Sequence, residues 1–195
     1  MILRATALVL LIPLALASAP GCASRESRIA EAAKAPAAPA DFALAITVVT
    51  PIKSATQPQT LPRSQRPARY ILEPDGTLRI ALGGGSTSTT YPPPTRLLSD
   101  ARREDVWNLV KAAGLLEPEV PGRLRGTDTS VPLGTQTGGE PISMLDPTAA
   151  PPKTPTALIV LSANGVRDFY RIAFDESPNL AALTDRLAAY GWVRE

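Results

Sequence analysis

A chain of 195 residues with 20 Lys and Arg against 18 Asp and Glu carries a net charge of +2, too small to argue for a nucleic-acid partner. It contains no histidine, which excludes a Ser-His-Asp triad, a Cys-His dyad and an imidazole zinc site. One cysteine excludes an intramolecular disulfide, so the fold must hold without covalent staples.

The N-terminal segment has the layout of an export signal. Arg4 supplies a positive charge, and Ala5 to Ala19 is apolar apart from Thr6 and Ser18. Pro13 interrupts the run, which is shorter than the ~20 residues that span a bilayer. Two processing routes fit. Ala15-Leu16-Ala17 is a small-x-small site for cleavage after Ala17. Alternatively, Ala19-Pro20-Gly21-Cys22 resembles the lipobox of bacterial lipoproteins, with cleavage before Cys22. Gly21 and Cys22 match that pattern, whereas Ala19 stands where the family prefers leucine and Pro20 is unusual in it. The resemblance covers the signal region alone. It implies lipid attachment at Cys22 and membrane anchoring through several acyl chains, since one chain binds only reversibly. Ala23 and Ser24 follow Cys22 with no aspartate, which by that family's rule favours the outer membrane. The expected division is a signal peptide at 1–21, a lipid-anchored flexible tether at 22–40 and one domain at 41–195.

Within the tether, Ser24 to Lys34 has the composition of a short polar helix in which Ile29 is the only large apolar residue. Alternating Ala and Pro follow to residue 40, so the segment is expected to bury no face and to stay solvated. Phe42 to Thr50 reads as a strand that Pro51 ends. Arg63, Arg66 and Arg69 recur every third residue and would share one face of a polyproline-like segment, read as a solvated charged edge, with an anion or lipid-headgroup contact as the alternative. Ala68 to Glu73 and Thr77 to Leu82 flank Pro74-Asp75-Gly76, a turn signal that predicts a hairpin. The Gly83-Gly84-Gly85 run and Tyr91-Pro92-Pro93-Pro94 read as a flexible loop and a stiff spacer. No helix start follows the glycines directly, as phosphate binding would require.

Val106, Leu109, Val110 and Ala113 repeat at helical spacing and predict a helix over Ser99 to Ala113, with Gly114 as its C-cap. Trp107 lies off the centre of that face, at a core rim or a partner contact. Residues 117–154 form a long irregular loop. Asn164-Gly165 then predicts a tight hairpin between Thr156–Ala163 and Val166–Phe174. A last helix runs from Pro178 to Tyr190, with Gly191 ending it and Trp192 and Val193 folding back to close the core.

These elements predict an α+β fold: an antiparallel sheet of about five strands with two helices packed on one face, built as two β-hairpin–helix units. The layout resembles small uncharacterised domains of bacterial lipoproteins, and no motif names a family among them. The opposite sheet face carries Arg79, Arg167, Phe169 and Arg171, the candidate partner surface. No Ser-x-x-Lys, Gly-x-Ser-x-Gly or calcium-loop pattern occurs, and no cofactor or metal is expected. The functional expectation is therefore an envelope-anchored, non-catalytic module that binds a protein or cell-wall component. Two alternatives stand beside it. One is a glycan hydrolase using Asp128, Glu140 and Asp146, and the other is a purely structural envelope protein.

Overall fold

The structure is a computed structural model that describes residues 24–51, 58–83, 85–86, 91–117 and 152–192. Cys22 and Val193 lie outside these residues. Six strands form one antiparallel sheet: β1 (Ala43–Val49), β2 (Ala68–Leu72), β3 (Thr77–Leu82), β4 (Pro94–Leu97), β5 (Thr156–Ala163) and β6 (Val166–Ala173). Their order across the sheet is β4-β3-β2-β1-β5-β6. The helices are α1 (Arg25–Lys34), α2 (Asp100–Ala112) and α3 (Pro178–Trp192), and 3-10 turns occupy Pro58–Thr60 and Arg63–Gln65.

Among the described residues the count is six strands rather than five, because the expected spacer ends in β4. Pro94 has no N–H to offer a ladder, which a strand edge tolerates and a sheet interior does not. The Thr95 side chain compensates in part, its Oγ1 accepting from the Ile80 N–H at 3.1 Å.

Both hairpins form as their turns dictate. Gly76 has φ +89°, and Asp75 Oδ1 accepts from the Thr77 N–H at 2.8 Å. Asn164 and Gly165 both take positive φ, at 52° and 70°, the demand of a two-residue primed turn. The Asp41 carboxylate accepts from both turn N–H groups, at 2.9 and 2.6 Å. That long-range clasp pins the start of the domain to the far hairpin.

Strand alternation sorts the sheet into two faces. On one, Ile46 stands opposite Tyr70 and Ile159, with Ile80 and Tyr170 beyond them. The adjacent row runs Leu78, Leu72, Leu44, Leu161 and Asp168. These residues share one hydrophobic cluster with Val106, Trp107 and Val110 of α2 and Leu180, Leu183 and Leu187 of α3, Asp168 being its polar neighbour at the row's end. Trp107 is fully buried, neither rim nor partner contact, and meets Phe42 edge-on at 4.9 Å. The α2 helix closes on Gly114 at φ +72°, and Leu115 folds back with its N–H on the Val110 carbonyl. The Tyr170 hydroxyl, deep in the core, donates to the Leu115 carbonyl at 2.5 Å.

The segment before the domain departs from the solvated reading. Ser24 caps α1 through a bond from the Ser27 N–H, and Ala32 is fully buried within the core cluster. The Ala38 N–H donates to Glu104 Oε2 at 2.8 Å, and Lys111 Nζ reaches the Ala35 carbonyl at 3.5 Å. Ala33 and Ala38 pack against the same cluster, so small side chains of this segment join the core.

Candidate functional site

The candidate partner residues lie on the second sheet face, but not together. Arg79, Ile71, Ala45, Val160 and Phe169 form one row across five strands. Arg79 and Phe169 are thus four strand spacings apart, about 19 Å. Arg167, Phe169 and Arg171 alternate along the edge strand β6, with Arg171 exposed and the other two half-buried.

Arg79 is committed to the fold. Its Nη1 donates to the Pro92 carbonyl at 3.2 Å, and its guanidinium lies 4.0 Å from the Tyr91 ring centroid. Its Nε sits 3.3 Å from Glu73 Oε2, an ion pair off the line of a hydrogen bond. The Tyr91 hydroxyl donates to Glu73 Oε1, and that bond is the main cause of its raised pKa. This cluster straps the segment at Tyr91 onto the first hairpin, and Arg79 leaves the candidate surface.

The arginine triplet also separates. Arg63 lies in a 3-10 turn and Arg69 in β2, so the period of three breaks at residue 68. Arg69 is 5% exposed on the second face, where its Nη1 donates to Thr47 Oγ1 at 3.3 Å. Its Nε has no partner among the described residues, and burial lowers its pKa.

Arg63 and Arg66 instead stand at a groove of about 460 Å³ between the 3-10 turns, the end of the first hairpin and α3. Ala68, Tyr70 and Ala188 are its buried floor, and Leu82, 48% exposed, is its wall. Both guanidinium groups are fixed by backbone carbonyls. Arg63 Nη2 donates to Ala188 at 3.3 Å, and Arg66 donates to Leu61 and Gln59 at 3.1 and 3.3 Å. Each keeps further N–H donors, since a guanidinium has five. Tyr70 is 2% exposed, and its hydroxyl has no hydrogen-bond partner among the described residues. Burial pushes its pKa up to about 12; Arg63 opposes and Asp185 reinforces that shift.

Pockets of this size, largely apolar with a few fixed polar groups, are the usual form of small-molecule sites. The sequence signal for this one was the Arg63/Arg66 pair. Nothing in the sequence placed Tyr70 and Ala188 beneath it, since that contact spans the chain.

Asp128, Glu140 and Asp146 lie outside the described residues. Among the described residues no three His, Cys, Asp or Glu side chains converge as a metal site, and no helix is long and apolar enough to cross a membrane. Comparison with protein-family models, curated proteins and solved structures finds no match to this chain.

Proposed function

We propose that the chain is an exported, envelope-anchored binding module without catalytic activity, held to the membrane by lipid at Cys22. The observation that carries this reading is the apolar leader ending at the chain's only cysteine. The poverty of catalytic side chains, with no histidine anywhere, supports the non-catalytic part.

In this reading the helices lie on one face of the sheet and the second face meets the partner. The shared core cluster of helix residues with one alternate set of strand residues supports that arrangement. The partner surface narrows to Arg167, Phe169 and Arg171, where an aromatic side chain sits between two cations on an edge strand. Aromatic and Arg side chains are the commonest anchors of interfaces. The tether is also shorter than its sequence implies, because α1 rests on the domain with Ala32 buried. In the anchored protein the domain stays close to the membrane.

The test is photocrosslinking in intact cells, with a photoreactive residue at position 169 and a control at exposed Ala101. A discrete adduct at 169, absent at 101 and lost with Arg171→Glu, is the expected result. Equal adducts at both positions, or none at 169, would remove the surface from the account.

A further inference from the structure

We propose that the groove beside Tyr70 binds a long-chain carboxylate, with its head on Arg63, Arg66 and the Tyr70 hydroxyl and its alkyl chain against Ala68, Ala188 and Leu82. This goes beyond the partner reading and stands on a different part of the molecule: the groove is lined from the helix-facing side of β2, while the partner surface is on the second face.

Three observations fix the chemistry of the occupant. First, the floor is apolar and buried while the wall residue Leu82 is nearly half exposed, so an alkyl chain laid in the groove covers Leu82. Second, neither Arg63 nor Arg66 meets a carboxylate among the described residues, and backbone carbonyls hold both in place with donors to spare. Fixed donors lose little freedom when a ligand arrives. Third, Tyr70, a residue only 2% exposed, lines the same groove, and its hydroxyl has no hydrogen-bond partner among the described residues. A ligand acceptor in the groove can take that donor in place of water.

The charge at the groove favours an anion. Arg63 and Arg66 are its charged lining residues, and no acidic side chain is among the described lining. A carboxylate meets that charge and accepts from both the phenol and a guanidinium, in charge-assisted bonds stronger than neutral ones. A peptide is the weaker candidate. Recognition of an extended peptide draws on a row of free main-chain groups, whereas side chains supply the polar contacts of this groove.

The test uses the full chain in neutral phosphatidylcholine vesicles, with a diazirine-bearing dodecanoate as photoprobe and the matching dodecanol as its uncharged twin. Labelling by the carboxylate is expected to saturate and to fall on peptides spanning Arg63 to Leu82. It should exceed the alcohol's roughly tenfold, the ratio that one lost charge-assisted contact implies. Arg63→Gln with Arg66→Gln should bring it down to the alcohol's level. Tyr70→Phe keeps the packing and should cut it several-fold even if the double variant proves unstable. Equal labelling by acid and alcohol would overturn the proposal, as would labelling insensitive to these substitutions. Displacement by an acidic peptide in preference to unlabelled dodecanoate would overturn it in favour of a protein segment. None of these results bears on the crosslink at position 169, so the two readings fail separately.

Discussion

Replacing Tyr170 with phenylalanine removes a bond that ties the sheet to the end of α2. The ring is fully buried on β6, and its hydroxyl donates to the Leu115 carbonyl at 2.5 Å. Tyr170→Phe keeps the ring and its packing but leaves that carbonyl, in a residue with no exposure, without this donor. A net hydrogen bond contributes about 1 kcal/mol, and a buried acceptor stripped of its donor costs ~1–3 kcal/mol. The expected loss is therefore about 2 kcal/mol. With a urea dependence of about 2 kcal/mol per molar, the unfolding midpoint should fall by about 1 M at unchanged slope. Fluorescence of the buried Trp107 reports the transition, since opening the core exposes it. A midpoint within about 0.2 M of the parent would mean that the hydroxyl does not hold the α2 terminus, and the packing described for that corner would be wrong.

Other parts of the structure give equally direct tests. Tyr70 has a folded pKa of about 12 against an ordinary 10. A raised folded value means that stability is fully present below pH 10 and is lost as pH rises from 10 to 12, where the unfolded chain ionises first. Urea midpoints across that window should fall more steeply in the parent than in Tyr70→Phe. Gly76→Ala places a Cβ 2.9 Å from the Leu98 carbonyl oxygen at a φ of +89°. A loss of ~1–3 kcal/mol is expected, with faster hydrogen exchange in β4, whose neighbour Leu98 donates to the Gly76 carbonyl. Ala32→Asp forces a charge into a fully buried contact and should release α1, seen as rapid tryptic cleavage after Arg28 with little change in the main melt. Retained protection at Arg28 would contradict the docking of α1.

Local chemistry made much of this fold readable. Asp75-Gly76 and Asn164-Gly165 announce their hairpins because few residues accept the positive φ found there. The strand faces follow from alternation, and α2 from its apolar spacing. What escaped depends on contacts distant in sequence. The α1 helix reads as solvated because Ile29 is its only large apolar residue, yet Ala32 is fully buried in the core cluster. Gly191 looked like a helix stop, yet α3 runs through it to Trp192, and a Cβ there would run into Ile80 Cδ1. The edge strand β4 hid behind its proline. The arginine triplet suggested a single charged edge, but a 3-10 turn followed by a strand sends Arg69 to the face opposite Tyr70. Of the candidate surface, alternation correctly put Arg79 on the same face as Phe169. Only register shows that they stand four strands apart, and only the Glu73 and Tyr91 contacts show that Arg79 is occupied.

The anchor at Cys22 is the claim on which the functional reading turns, and one measurement reaches it directly. The intact mass of the protein recovered from its own envelope should match a chain that begins at lipid-modified Cys22, and the Cys22→Ser protein should lack that species. A mass equal to an unmodified chain beginning at Ser18 would contradict the account and make this a free exported protein with no tether.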